Sequence, residues 1–183
     1  MGVGGELVQK NKQTILEAAS QLFRERGFES VTVTDVMKSA GLTHGGFYGY
    51  FKSKDDLIAQ ALAHALESNS PIPTDLKDVA AQYLSPAHRD NFACGCPLAA
   101  LASEAIRQHG DIRTEMTTGL KCQIDRLTEI SHGTDALSKR RAAIGNIAAM
   151  VGALILSRMS DDPQLSDEII NETKSWIINQ DNA

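Results

Sequence analysis

The side chains best suited to chemistry gather in two stretches. Residues 41–54, "GLTHGGFYGYFKSK", set three glycines (Gly45, Gly46, Gly49) among four aromatic rings and end on Lys52 and Lys54. Such a mixture can hold phosphate. Backbone N–H groups approach an anion closely where no side chain intervenes, and ammonium and phenol groups donate to its oxygens. The nucleotide-binding version of this chemistry needs G-x-x-x-x-G-K-[ST] after a strand, and this stretch lacks that spacing and follows a helical pattern. The second stretch is residues 94–105, "CGCPLAALASEA". Cys94 and Cys96 precede a predicted helix whose first turn suits Pro97, and a helix N-terminus favours thiolate. Three readings of these thiols stay open: a packed structural cysteine, a redox or electrophile sensor using Cys96 with Cys94 or Cys122, and a metal site. A thiol oxidoreductase would need C-x-x-C in a βαβ setting, and neither occurs. His88, His109 and His132 lack ligand spacing, so no metal, no cofactor and no catalytic residue is expected.

Helical spacing positions both stretches. Ile15, Ala18, Ala19, Leu22 and Phe23 form one apolar stripe. Gly27 then predicts a left-handed cap, with Phe28 folded back on the stripe. Thr32-x-x-Asp35 is a capping-box variant that opens a short second helix, and Gly41 closes it. Thr43 is placed to cap a third short helix over residues 43–50, and Ser53-x-x-Asp56 opens a fourth carrying Leu57, Ile58, Ala61, Leu62 and Ala65. Residues 68–75, "SNSPIPTD", break the pattern with two prolines. The boundary expected there separates residues 1–67, with a linking helix at 53–67, from residues 68–183. Five further helices are expected, at about 74–84, 96–109, 111–131, 136–159 and 163–180. No alternating strand pattern persists, so the fold class is all-α with nine helices.

Charge and composition limit the function classes. The 183 residues carry a net charge of −5. Residues 1–60 hold seven Lys/Arg and seven Asp/Glu, so the deficit lies wholly in the remainder. Any nucleic-acid contact should therefore be local and N-terminal. The start "MGVGGE" carries neither the basic nor the apolar region of a signal peptide, and the apolar run at 142–156 contains Asn146 and falls short of the roughly 18 residues of a membrane span. The expectation is a cytoplasmic chain with no membrane contact and with free thiols.

Two short helices joined at Gly41 and braced by a longer one have the shape of a helix-turn-helix unit, whose second short helix enters the major groove. Phe47 and Phe51 stand four residues apart and share the inward face. His44, Tyr48 and the Gly45/Gly46 surface then face outward.

The segment "TVTDVMKSAGLTHGGFYGYFKSKDDLI" closely resembles the DNA-binding signature of the TetR family of bacterial transcriptional regulators. The resemblance implies a three-helix helix-turn-helix domain joined to a larger helical ligand-binding and dimerisation domain. It implies DNA contact by Thr34, Thr43, His44, Gly45, Gly46, Tyr48, Tyr50 and Lys54. Tyr48 and Lys54 match phosphate-holding positions, and His44, Gly45 and Gly46 match base-facing ones. Gly46 and Gly49 depart from the bulkier residues usual in the family, leaving few side chains for direct readout. The implied partners are a pseudo-palindromic operator in double-stranded DNA, a second copy of the chain and a small-molecule effector. An apolar or aromatic effector is expected, in a pocket lined by Tyr83, Phe92, Leu101, Met116, Leu120 and Ile124. The dimer face expected from the last two helices contains Gly145, Ala148, Ala149, Gly152 and Trp176. Small residues there permit close helix approach. The function implied is an effector-released repressor, with the thiol sensor as the alternative.

Overall fold

The computed structural model describes residues 3–67, 73–108 and 110–180. His109 and most of the proline-containing break at 68–75 lie outside them. Among the described residues there are nine α-helices, one 3₁₀ segment and no strand.

The first helix, α1 (Val3–Ser30), is interrupted at Gly27. There the backbone takes φ 81° and ψ 168°, which is the extended glycine-only region rather than the left-handed helical cap expected. Phe28 does fold back: its ring meets Phe23 edge-on with centroids 5.6 Å apart. Next, α2 (Val33–Ser39) opens on the expected capping box. The Asp35 N–H donates to Thr32 Oγ1 at 3.1 Å and the Thr32 N–H to Asp35 Oδ2 at 2.9 Å. The Thr32 hydroxyl and then its N–H hold the Asp35 carboxyl below the usual carboxylate range. Gly41, at φ 71°, ends the helix. The N–H of Leu42 reaches Met37 O at 2.8 Å and that of Gly41 reaches Lys38 O at 3.1 Å, satisfying two terminal carbonyls.

After the 3₁₀ segment His44–Gly49, α3 (Lys54–Leu66) starts from the Ser53 cap, whose Oγ accepts from the Asp56 N–H at 3.1 Å. The remaining helices are α4 (Leu76–Tyr83), α5 (Pro86–Asp90), α6 (Pro97–Ala105), α7 (Asp111–Ile130), α8 (Ala136–Met159) and α9 (Pro163–Gln180). Two differences from the sequence expectation stand out. The helix after Pro97 stops at Ala105, with Ile106 and Arg107 in a turn. The five-residue α5 was not foreseen, although Ser85 caps it and Pro86 occupies its first turn. It fastens α9: Arg89 donates to Asp167 Oδ1 at 2.6 Å and to Ser166 Oγ at 3.0 Å.

One continuous hydrophobic core runs from Ile15 and Phe23 through Leu57 and Leu62 to Leu101, Leu127 and Met150. Gly119 on α7 lets α3 settle against it, since a Cβ there would stand 2.5–2.8 Å from the Leu66 side chain. By length and composition α8 could cross a membrane. In the fold it packs on α7 and α9, with Ala143, Asn146, Ile147, Met150 and Leu154 buried. Its other face, with Ile144, Ile155 and Met159, lies exposed.

Candidate nucleic-acid interface

The segment expected as a recognition helix is a single six-residue run of 3₁₀ helix. Three glycines give it little intrinsic propensity, and packing supplies the rest. Phe47 and Phe51 are buried and stack with centroids 5.6 Å apart. Phe47 also meets Tyr48 edge-on at 5.2 Å, while Tyr48 itself stays 76% exposed. Thr43 occupies the cap position in extended conformation, but its side chain makes no capping bond. Its carbonyl accepts from the Gly46 N–H at 3.1 Å instead.

Thr34 and His44 come together: Thr34 Oγ1 and His44 Nδ1 are hydrogen-bonded at 3.2 Å, joining the start of α2 to the start of the 3₁₀ segment. Both are exposed, as are Thr43 and Gly45 beside them in sequence. None of the three glycines is required by the fold. A Cβ at Gly45 or Gly49 would meet nothing within 4 Å, and one at Gly46 would make only ordinary contacts at 3.9–4.0 Å.

Tyr50 behaves differently from Tyr48. It is half-buried, and its hydroxyl accepts from Asn11 Nδ2 of α1 at 3.2 Å. Lys12 Nζ, one residue on, lies 5.7 Å from the Phe51 ring centroid. Asn11 and Lys12 were missed in the sequence, though Asn11 stands one helical repeat before Ile15 and so shares the face that α1 turns to the core. Lys54 sits half-buried in the first turn of α3. The turn before it is fixed by Asp56, which accepts from the Lys52 N–H at 2.8 Å. That bond, followed by one from Gln60, keeps the Asp56 carboxyl below its ordinary range.

Beyond this surface, a cavity of about 830 Å³ opens among α1, α3, α4, α7 and α8. Of the six residues expected to line it, only Tyr83 does. Leu101 and Met116 are spent on the core, and Ile124 packs against it. Leu120 is exposed on α7, and Phe92 lies exposed under the Arg158 guanidinium, 4.5 Å from its ring centroid. Arg24, Arg126, His64 and His88 all reach the cavity, so its walls are more polar than expected. Cys94 and Cys96 also line it; Cys122 does not, and is exposed on α7.

Polar contacts order this wall. Arg24 donates through Nε to Ala93 O and through Nη1 to Ser20 Oγ, both at 2.7 Å. His88 Nε2 accepts from the Cys96 N–H at 3.1 Å, and Nδ1 contacts Tyr83 O at 2.7 Å, which fixes the proton on Nδ1. Burial lowers the His88 pKa below its ordinary value. Among the described residues the buried Tyr83 hydroxyl has no nitrogen or oxygen partner and only the Cys96 thiol beside it, and burial, followed by Cys96, pushes its ionisation far above the ordinary range. Among the described residues no group of three His, Cys, Asp or Glu could hold a metal ion.

A third surface lies on α8 and α9. Gly145 and Gly152 have nothing within 4 Å of a notional Cβ, Ala148 is exposed, and Ala149 is half-buried. Trp176 on α9 is 50% exposed.

A bracing helix, a capped short helix, a glycine turn and a second short segment with outward-facing polar groups define a helix-turn-helix protein, here carried on a helical body. Residues 15–61 match the family described as bacterial regulatory proteins, tetR family. Through these residues the chain carries the N-terminal helix-turn-helix domain of that family. It is 36% identical over 58 residues to YfiR, an uncharacterized HTH-type transcriptional regulator of Bacillus subtilis, a match covering 32% of this chain and 28% of that protein. Along most of its length it is 24% identical to the HTH-type regulator Rv0196 of Mycobacterium tuberculosis, covering 93% of this chain and 96% of the relative. The crystal structure of Escherichia coli NemR in its reduced form superposes with a TM-score of 0.72 at 20% identity, covering 93% of this chain and 96% of NemR. That likeness establishes the fold. The regulators of higher identity are matched over only about a quarter of their length.

Proposed function

We propose that this protein is a cytoplasmic, homodimeric transcriptional repressor that binds a pseudo-palindromic operator and is released by a small molecule. Residues 1–67 would bind DNA, and residues 68–183 would bind the effector and dimerise. The observation that carries the reading is the outward array of Thr34, His44 and Tyr48 around three glycines that the fold itself does not need. A dimer would present two such arrays to major grooves about 34 Å apart, one DNA turn. Tyr48 and Lys54 would hold phosphate, and Thr43 and His44 would meet base edges. With Tyr50 tied to Asn11, its role is to seat the segment and only its ring edge is left for the DNA backbone. Release follows if the effector favours a spacing of the two arrays that no longer matches successive grooves. The cavity wall includes α1 and α3, so a ligand there touches the helices that carry the array. Selection of bound duplexes from a random pool, followed by footprinting, tests this. An inverted repeat with half-sites one turn apart is expected, and a single asymmetric site occupied by a monomer would overturn it.

A second reading keeps the DNA-binding role and replaces the effector by thiol chemistry. It is favoured by Cys94 and Cys96 lying on one cavity wall, within electrostatic reach of Arg24 from α1. Oxidation of the pair by peroxide would remove two electrons and two protons, form one S–S bond and yield two waters. The fold neighbour NemR is described in a reduced form, which is a statement about that protein. Mass spectrometry after mild peroxide treatment, paired with a mobility-shift assay, decides: unmodified cysteines with unchanged affinity end this reading.

A further inference from the structure

The polar inventory of the cavity specifies a ligand chemistry that the sequence did not suggest. Its apolar wall comes from Leu66, Val79, Leu127, Ile147 and Met150. Facing this are hydrogen-bond donors left unpaired within the chain. Arg126 on α7 is half-buried and makes no ion pair or hydrogen bond among the described residues. The Tyr83 hydroxyl is buried with only the Cys96 thiol beside it and no nitrogen or oxygen partner among the described residues. Arg24 keeps Nη2 uncommitted after bonding Ala93 and Ser20. Negative charge is scarce: among the described lining residues Glu17 is the one carboxylate, it is exposed, and it already accepts from Gln13 at 3.3 Å.

A cationic ligand would meet two guanidinium groups, and a wholly apolar one would bury their donors without partners, a cost of about 1–3 kcal/mol per group. An acid group removes both penalties and forms the stronger, charge-assisted type of hydrogen bond. We infer that the cavity takes an amphiphilic carboxylate, an apolar body bearing one acid group, with Arg126 as ion-pair partner and Tyr83 as a further donor. This rests on the reading of the cavity as the effector site, and it replaces the apolar or aromatic effector expected from the sequence.

The test is calorimetric titration of the full chain, without DNA, using three probes with the same ten-carbon tail: decanoate, 1-decanol and decyltrimethylammonium. Decanoate should bind about tenfold more tightly than decanol, the equivalent of one charge-assisted hydrogen bond, and decyltrimethylammonium should bind least. Arg126→Gln should abolish the preference for decanoate, Arg126→Lys should restore part of it, and Tyr83→Phe should reduce it. Circular-dichroism melting of each variant separates a lost ligand from a lost fold. Decanol binding as tightly as decanoate, or a preference undiminished in folded Arg126→Gln, overturns the inference. The titration contains no operator, so its result stands apart from the repressor reading. Decanoate that binds without changing DNA affinity would uphold the site and overturn release by this ligand.

Discussion

Glu104 accepts a hydrogen bond from the Phe28 N–H at 2.6 Å, so α6 grips α1 at the residue following its bend. Gly27 makes room for this grip, because a Cβ there would overlap the Glu104 carboxylate. The bond joins the helices around the cavity to the helix that braces the DNA-facing array. Cys96 and Pro97 stand at the other end of the same α6 and line the cavity.

Gly27→Ala should therefore be among the more damaging single substitutions. The new side chain would be forced into a backbone region that costs about 1–3 kcal/mol for anything but glycine, and would displace Glu104 as well. Glu104→Ala should cost about 1–3 kcal/mol by leaving the Phe28 N–H unpaired, and Glu104→Gln, which keeps an acceptor, should cost less. Urea unfolding monitored by circular dichroism gives all three, and a harmless Gly27→Ala would show that the bend is not held as described.

Within the recognition segment, neighbouring rings should separate stability from binding. Phe47→Ala removes a buried ring and should destabilise by about 3–5 kcal/mol. Tyr48→Ala alters a side chain that is 76% exposed, so its melting temperature should change little while affinity falls for every DNA sequence. Fluorescence anisotropy with a fixed operator and a scrambled duplex reads this, and intact binding by Tyr48→Ala would remove the phosphate role.

How much of this was legible in the sequence depended on how local the cause was. The capping boxes at Thr32 and Asp135, the Ser53 cap and the Gly41 turn each involve a few neighbouring residues. The Thr32, Ser53 and Gly41 signals correctly placed the helices around them. The type of the recognition segment was not legible, because its conformation comes from packing on Phe47 and Phe51 rather than from propensity. The short α5 was announced by Ser85-Pro86 but is below the length at which periodicity can be seen. The cavity was the least legible part. Its wall is assembled from helices far apart in sequence, and its decisive groups, Arg24, Arg126 and His88, look in sequence like ordinary surface residues. Apolar spacing pointed to Leu101 and Met116, which the core consumes.

The glycines and Lys54 should affect DNA binding in different ways, one through close approach and the other through charge. Gly45→Ala and Gly49→Ala have room for the added Cβ, so the fold should be unchanged or more stable by up to about 1 kcal/mol, while operator affinity falls. Lys54→Ala should lower the slope of log affinity against log salt by about 0.9, the counterion release of one phosphate contact. A mobility-shift series between 50 and 200 mM salt, on the order of the range where such slopes are resolved, measures both effects. Equal slopes for Lys54→Ala and wild type would place the lysine away from phosphate.

His88 makes stability depend on pH with a definite sign. Its pKa is lowered in the folded chain by burial, with Arg158 acting the same way, so the unfolded chain binds the proton more readily. The stabilisation is full above the ordinary value of 6.5 and declines as pH falls through 6.5 toward the lower folded value. Protonating Nε2 also removes the acceptor used by the Cys96 N–H. Melting temperatures recorded from pH 7.5 down to about 5 should fall more steeply for wild type than for His88→Gln. Parallel curves would show that another group carries the dependence.

The exposed seam of α8 and α9 leads to the last prediction. Ile144, Ala148, Gly152, Ile155 and Met159 recur at three- and four-residue spacing, and the three large ones are 42–74% exposed. Water contact over such a stripe is unfavourable at about 25 cal/mol per Å² of apolar surface, and a second copy related by a twofold axis would cover it. Gly145 and Gly152 fit this arrangement, since nothing inside the chain crowds them and a partner helix could approach their backbone. Ala148→Glu would place a carboxylate from each copy into the seam, where an unpaired buried charge costs several kcal/mol. The dimer dissociation constant should therefore rise by at least about 100-fold. Ala148 is exposed in the single chain, so circular dichroism should report the same helices. Sedimentation velocity should show wild type as a dimer and Ala148→Glu as a monomer, with operator affinity lost together with the dimer. If Ala148→Glu still sediments as a dimer, the twofold interface lies elsewhere and the exposed stripe has another purpose.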